Sequence, residues 1–101
     1  MRKISKKRAK LERNRYSIIQ TDLEKCYVCP NPSSDWHEIF EGSNRTLSIK
    51  YGLCVRLCRK CHSELQYKDL ALKLIAKQRF NEEYDEDFIK LFHPKEKELW
   101  D

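Results

Sequence analysis

Two Cys-x-x-Cys motifs, Cys26 with Cys29 and Cys58 with Cys61, constrain the fold of this chain more than any other feature. Two residues between paired cysteines let both sulfurs approach one ion from a tight turn. Four thiolates favour tetrahedral zinc with no open coordination position, so we predict a structural zinc site. Buried free thiols and an iron–sulfur cluster are the alternatives. The interval between the motifs exceeds the usual spacing of about 15–20 residues, which an inserted hairpin would explain.

The size of the chain makes this metal important for folding. A chain of 101 residues is expected to form one domain with a thin core, to which a bound metal adds much of the stability. The charged N-terminus lacks the apolar region of a secretory signal, and no apolar run approaches the ~20 residues that span a bilayer. We therefore expect a cytoplasmic protein with no membrane partner, where thiols stay reduced. Cys54 is expected to be a small buried hydrophobic residue.

Charge is distributed unevenly along the sequence. There are 21 Lys and Arg against 16 Asp and Glu, for a net charge of +5, and residues 1–15 carry eight of the positive side chains. Residues 81–101 are acidic by contrast. A basic N-terminal end predicts contact with a polyanion such as a nucleic acid, and the alternative is a solvated tail. The arm residues expected to make this contact are Lys6, Lys7 and Arg8.

The pattern of apolar residues predicts a small α+β fold. Residues 1–20 are predicted to form a basic N-terminal arm, and residues 21–101 a single domain. Alternating side chains predict a strand over residues 36–40, and a second short strand is predicted over residues 53–57.

Helices are predicted for the second half of the chain. One helix is predicted to begin near Arg59 and to continue, with a break near Lys68, to about Phe80. A last helix is predicted over residues 82–92, with acids in its first turn and Pro94 ending it. The apolar face predicted for the first of these helices consists of Leu70, Ala71, Leu74 and Ile75.

Two histidines fall at related places in this arrangement. His62 directly follows the last cysteine at the start of a predicted helix, and His37 lies on the first predicted strand. Strand, loop, strand and helix form a ββα unit, in which two facing imidazoles can hold a catalytic divalent ion against a scissile phosphate. Three other interpretations stay open: His62 as a zinc ligand in place of a cysteine, His62 as an exposed helix residue, and His37 as an ordinary strand histidine.

The segments SIIQTDLEKCYVC and WHEIFEGSNRTLSIKYGLCVRLCRKCH carry a resemblance to a known family. Over residues 17–92 the chain resembles small phage-encoded HNH endonucleases, also called His-Me finger nucleases. The resemblance implies a zinc-stapled ββα-metal, treble-clef-like fold and cleavage of DNA phosphodiesters with Mg²⁺ or Mn²⁺. It also implies a bacterial host cell as the place of action.

Site roles follow from this resemblance position by position. His37 matches the first histidine of the family's HH pair and His62 matches its last histidine, both ligands of the catalytic ion. Glu38 stands where the family has its general base, and Leu53 stands where the middle Asn usually lies. Glu38 is therefore expected to act as a weaker base or as a third ligand. On a flat strand His37 and Glu38 would point to opposite faces, so joint action requires an irregular strand.

Cations near the site are expected to position the DNA backbone. Arg45 matches the arginine of the family's G-x-x-R motif, and four further residues flank the predicted site. These are Lys50, Arg56, Arg59 and Lys60.

Three functions are compatible with the sequence. The leading hypothesis is a metal-dependent HNH-type DNA endonuclease of phage or prophage origin. The second is a nucleic-acid-binding zinc module of the same fold that does not cleave, and the third is a protein-interaction module using the apolar face of the C-terminal helices.

Overall fold

The structure is a computed structural model that describes residues 14–65 and 69–100. Strands β1 (Asp35–Glu38) and β2 (Cys54–Leu57) pair antiparallel and form the one sheet in this part of the chain. Asp35 faces Leu57 across the pair, and Glu38 faces Cys54. The two predicted strands are confirmed, with small shifts in their bounds.

The predicted loop between the strands contains a short helix, α1 (Arg45–Lys50), preceded by a 3₁₀ turn (Gly42–Asn44). Ser48 on this helix is buried, and its hydroxyl donates to the carbonyl oxygen of Phe40 and accepts from the Phe40 N–H. These two bonds hold α1 against the end of β1. Gly52 then adopts φ +71°, in the left-handed region that glycine tolerates, and leads the chain into β2.

Helix α2 (Arg59–Leu65) begins directly after β2, as predicted, and helix α3 (Leu70–Glu83) follows it. The predicted break near Lys68 lies outside the described residues. The predicted apolar face of α3 is wrong: Leu72, Ala76 and Phe80 are buried, whereas all four predicted residues are exposed. These are Leu70, Ala71, Leu74 and Ile75. Both sets have helical spacing, and the buried set is the one that contacts the aromatic core.

The prediction of one helix over residues 82–92 is also wrong, because the last helix, α4, covers Phe88–Phe92 only. Tyr84 has an extended backbone and ends α3. Asp87 then starts a new helix, since its carboxylate accepts hydrogen bonds from the N–H groups of Ile89 and Lys90. A 3₁₀ turn (Lys97–Leu99) follows α4.

The core joins the sheet to these helices through a cluster of aromatic rings. Ring centroids of neighbouring members lie 4.8 to 6.2 Å apart, mostly in tilted or edge-to-face pairs. The members of the aromatic cluster are Phe40, Tyr51, Phe80, Tyr84, Phe88 and Phe92.

No helix within the described ranges has the length and apolarity needed to cross a membrane.

Residues 14–20 lie against the domain, and the rest of the predicted arm lies outside the described residues. The Ile18 N–H donates to the carbonyl oxygen of Gly52, and the Arg79 guanidinium donates to the carbonyl oxygen of Ile18. The ring of Tyr16 covers Gly52 so closely that a Cβ added there would lie 2.5 Å from the ring. This segment is therefore attached to both β2 and α3.

Candidate functional site

The four predicted zinc ligands come together in the structure. The Sγ atoms of Cys26, Cys29, Cys58 and Cys61 all lie within 4.8 Å of one another, and those of Cys29 and Cys58 are 3.7 Å apart. A tetrahedral ion with Zn–S bonds of ~2.3 Å requires sulfurs about 3.8 Å apart. The cysteine cluster, as we call these four residues, is therefore positioned to hold a metal ion such as zinc.

Two turns produce this convergence. The Cys26 N–H donates to the carbonyl oxygen of Asn31, and the Tyr27 N–H donates to the carbonyl oxygen of Arg56, which fixes the first pair beside β2. The second pair lies where β2 passes into α2, with the Cys61 N–H directed at the sulfur of Cys58. The first Cys-x-x-Cys is thus held by a loop and the second by the start of a helix.

Two of these thiols differ in how readily they lose a proton. Burial raises the pKa of Cys26, but backbone N–H groups outweigh it and lower that pKa to about 6. The hydrogen bond with Cys58, together with burial, raises the pKa of Cys61. Cys26 therefore loses its proton more readily than Cys61. A bound divalent ion would favour the thiolate form of both.

Cys54 is separate from this cluster, as the sequence predicts. It is fully buried on β2, and its thiol lies 3.6 Å from the carbonyl oxygen of Ser48. Burial raises the pKa of this thiol to about 12. Cys54 therefore behaves as a small core residue.

The two predicted catalytic histidines also come together. His37 on β1 and His62 on α2 have ring centroids 5.3 Å apart, with the rings nearly perpendicular. Each ring has a carboxylate next to it. Nδ1 of His62 lies 3.1 Å from Oδ2 of Asp35, and Nε2 of His37 lies 3.4 Å from Oδ2 of Asp69. We call these four residues the histidine cluster.

His37 is the most enclosed member of the histidine cluster. Its side chain is 1% exposed, and its Nε2 atom has no hydrogen-bond partner among the described residues. Burial lowers the pKa of His37, although the charge of Asp69 acts against this. The lowered pKa favours the neutral ring at pH 7, and its buried Nε2 atom makes no hydrogen bond within the described part of the chain.

As a set, the ligand atoms of the histidine cluster are farther apart than those of the cysteine cluster. Among residues 14–65 and 69–100, the four cysteines are the one group of three or more cysteine, histidine or acidic side chains whose ligand atoms all lie within 4.8 Å. In the histidine cluster the close contacts are pairwise. It contains two imidazole rings and two carboxylates, but no three of its residues place ligand atoms that all lie within 4.8 Å of one another.

Glu38, the predicted base or third ligand, is not brought to the two histidines. Its Oε1 atom accepts hydrogen bonds from the guanidinium groups of Arg15, at 2.6 Å, and Arg45, at 3.3 Å. Successive side chains of a strand point to opposite faces, so Glu38 and His37 lie on opposite faces of β1. Arg45, a predicted DNA contact, thus lies beside Glu38 with its side chain 39% exposed.

The other predicted DNA contacts of the domain differ in exposure. Lys50 and Lys60 are exposed, and the Arg59 side chain is 84% exposed and 3.5 Å from Asp35. The guanidinium group of Arg56 is half-buried, 5.2 Å from the centre of the Trp36 ring. The predicted arm contacts lie outside the described residues: Lys6, Lys7 and Arg8.

Sequence reasoning missed two residues of the histidine cluster. Asp35 could have been found, because it precedes His37 by two positions and therefore shares its face of β1. Its carboxyl pKa lies below the usual range, chiefly because of the hydrogen bond with His62. Asp69 gave no comparable signal, since only the packing of the start of α3 brings it to His37.

A search of protein-family models, curated proteins and solved structures finds no match for this chain. The fold and the cysteine cluster define a small α+β protein with a site positioned for a metal ion such as zinc. A more specific function has to be argued from the geometry of the two clusters.

Proposed function

We propose that this protein is a metal-dependent endonuclease of the HNH type that hydrolyses DNA phosphodiester bonds. The observation that carries the proposal is the pairing of His37 on β1 with His62 on α2, with ring centroids 5.3 Å apart. The pair spans a strand–strand–helix unit, and the second pair of the cysteine cluster lies where β2 passes into α2, directly before His62. This is the arrangement that the sequence motifs lead us to expect.

The residues around the pair suit a divalent cation such as Mg²⁺ or Mn²⁺. When bound, such an ion would polarise the phosphate and make bound water more acidic. Asp35 holds a proton on Nδ1 of His62, which leaves the lone pair of Nε2 for the ion. The orphaned Nε2 of His37 is the second nitrogen suited to this role.

The basic surface is proposed to hold the DNA backbone. The side chains of Arg45 and Arg59 are 39% and 84% exposed, and guanidinium groups bind phosphate well through paired hydrogen bonds. If the domain and arm together neutralise about five phosphates, log affinity should fall against log salt with a slope of roughly −4 to −5. An affinity that does not change with salt would contradict this part of the proposal.

A second function, a DNA-binding module that does not cleave, is favoured by one observation. The carboxylate at the expected base position, Glu38, is occupied by Arg15 and Arg45. A carboxylate bonded to two guanidinium groups, on the face of β1 opposite His37, is not placed to take a proton from water at the histidine cluster. The two functions share the fold and the DNA surface and differ only in the chemistry at the histidine cluster.

A nicking assay separates them. Zinc-loaded protein would be mixed with supercoiled or branched DNA and with Mg²⁺ or Mn²⁺, and the His62→Ala variant would be compared with wild type. We expect His62→Ala to abolish cleavage with zinc content unchanged. The matched control is His93→Asn, which changes an exposed histidine at the end of α4 to a residue that tolerates its left-handed backbone, φ 45°.

Each outcome points to one function. Cleavage by wild type and by His93→Asn, but not by His62→Ala, supports the nuclease. Binding of DNA without cleavage supports the module that does not cleave, and no binding even at low salt would support a protein-interaction role. The Glu38→Gln variant adds a further distinction, because it should cleave normally if Glu38 only holds the two arginines.

A further inference from the structure

Asp69 lies at the histidine cluster although no sequence motif marks it. It precedes the first residue of α3, at the position where an acidic side chain usually caps a helix, yet its carboxylate makes no capping bond. Its side chain is only 11% exposed, and Oδ2 lies 3.4 Å from Nε2 of His37. The carboxylate is therefore directed at the histidine instead of at the helix that follows it.

Lys73 lies near Asp69 but also pairs with Glu96. Nζ of Lys73 lies 3.6 Å from Oδ1 of Asp69, and it also donates a hydrogen bond to the carboxylate of Glu96. The closer partner of Lys73 is Glu96. The negative charge of Asp69 is thus only partly compensated at a largely buried position, which favours a further cation there.

Nε2 of His37 is a second polar atom at this position that lacks a hydrogen bond among residues 14–65 and 69–100, although Oδ2 of Asp69 lies 3.4 Å from it. A buried polar atom without a hydrogen bond costs about 1–3 kcal/mol, so it calls for an explanation such as a bound ion. Two ligand atoms that each lie ~2.1 Å from one ion are separated by about 3.0–3.4 Å. The distance of 3.4 Å between Nε2 of His37 and Oδ2 of Asp69 fits such a pair.

We propose that Asp69 is an oxygen ligand of the divalent cation and forms, with His37 and His62, a two-histidine, one-carboxylate set. This inference rests on the proposed function, since it uses the same histidine pair. His62 is the most exposed of the three, at 34%, and its ring centroid lies 5.3 Å from that of His37, so its ring would have to move closer to reach an ion held by the other two. A carboxylate oxygen suits Mg²⁺ and Mn²⁺, which are hard cations.

Binding of Mn²⁺ alone to the zinc-loaded protein, without DNA, tests the assignment. The affinity would be measured from the electron paramagnetic resonance signal of free Mn²⁺ for wild type, Asp69→Asn and Lys73→Met. Both variants lose the ion pair between Asp69 and Lys73, but only Asp69→Asn loses the carboxylate. We expect Asp69→Asn to weaken Mn²⁺ binding at least about tenfold, and Lys73→Met to keep or strengthen it.

A second variant keeps the test sharp if Asp69→Asn folds poorly, which zinc content and thermal unfolding would reveal. Asp69→Glu keeps the carboxylate and should bind Mn²⁺ more tightly than Asp69→Asn. Equal Mn²⁺ affinity in wild type and Asp69→Asn, or equal weakening in Asp69→Asn and Lys73→Met, would overturn the assignment. The absence of any Mn²⁺ binding by wild type would overturn it as well.

The failure of this inference is distinguishable from failure of the nuclease proposal. If wild type cleaves DNA and Asp69→Asn binds Mn²⁺ normally, the nuclease stands and the role of Asp69 is overturned. If wild type binds Mn²⁺ through Asp69 but cleaves no DNA, the ligand assignment stands and the nuclease is overturned.

Discussion

The cysteine cluster and the histidine cluster both connect the chain around β1 to α2, but they are assembled in different ways. Four identical ligands make up the first, and their sulfurs already lie within 4.8 Å of one another. The second is built from two acid–histidine contacts, at 3.1 and 3.4 Å, with 5.3 Å between the ring centroids. Each cysteine pair lies in a local turn, and the two turns meet where the first loop bonds to β2. The histidine cluster depends in addition on where α3 packs.

This difference separates stability from function. The cysteine cluster can contribute to folding, because a bound ion would join the loop of the first pair to the end of β2. A site assembled from β1, α2 and the start of α3 can only form after the fold exists. We therefore expect changes in the cysteine cluster to affect stability most, and changes in the histidine cluster to affect ion binding most.

The largest expected effect is the loss of zinc. Chelation, or the Cys58→Ala variant, should abolish cooperative thermal unfolding followed by circular dichroism, because structural zinc binding is worth about 10–16 kcal/mol in small zinc domains. The matched control is Cys54→Ala, a buried cysteine outside the cluster, which should cost only about 1 kcal/mol. Unchanged unfolding after chelation would show that a metal at the cysteine cluster does not stabilise the fold.

Next in size is the effect of Asp35→Ala on Mn²⁺ binding. Without the hydrogen bond at Nδ1, His62 loses its orientation, and the Mn²⁺ affinity should fall about 10–100-fold, as when the hydrogen-bond partner of a metal-binding histidine is removed. Arg59→Met removes the other partner of Asp35 and should leave the affinity unchanged. Calorimetric titration of zinc-loaded protein measures both, and equal affinities in wild type and Asp35→Ala would contradict the role given to Asp35.

A smaller effect of opposite sign is expected for His37→Leu. This change removes a buried nitrogen without a hydrogen bond and keeps a similar volume, so the protein without added Mg²⁺ or Mn²⁺ should gain about 1 kcal/mol of stability. Urea unfolding of the zinc-loaded protein would measure it. A loss of stability instead would show that Asp69 and His37 form a stabilising pair without any added ion.

The smallest effect is on stability and concerns Glu96, the closer partner of Lys73. Burial raises the pKa of Glu96, but the hydrogen bond from Lys73 outweighs it and holds that pKa below its ordinary value of 4.5. Ionised Glu96 therefore stabilises the fold above pH 4.5, and this contribution is lost as the pH falls through the lowered pKa. At pH 7 Glu96→Gln should cost about 0.5–1 kcal/mol.

Urea unfolding of wild type and Glu96→Gln over a range of pH measures this contribution. The difference between the two proteins should shrink as the pH drops below 4.5. A difference that grows on acidification would have the wrong sign for an ionised Glu96 held by Lys73.

The sequence predicts those parts of the molecule that depend on local rules. The spacing within each Cys-x-x-Cys, the two strands and the start of α2 at Arg59 all follow from neighbouring residues. The buried face of α3 was predicted wrongly, because two sets of residues on this helix have the spacing of an apolar face. In α3, Leu70 and Leu74 have the same helical spacing as the buried Leu72 and Ala76, and only contact with the aromatic cluster decides between them.

The candidate site shows the same limit. The pairing of His37 with His62 is predictable, because strand β1 and helix α2 belong to one ββα unit. Asp69 is not, since it comes to His37 through the packing of a separate helix. The ion pairs of Glu38 are equally hidden, because they involve Arg15 from the N-terminal segment and Arg45 from a helix that was predicted as a loop.

The attachment of residues 14–20 has a consequence for the order of folding. Ile18 bonds to Gly52 and to Arg79, which follows it by 61 positions, and the Tyr16 hydroxyl meets that of Tyr84, 68 positions away. Contacts between such distant positions form late, because a long loop has to close first. During synthesis this segment leaves the ribosome before any of its partners, so we expect the part of the domain made first to be the last part fixed in place.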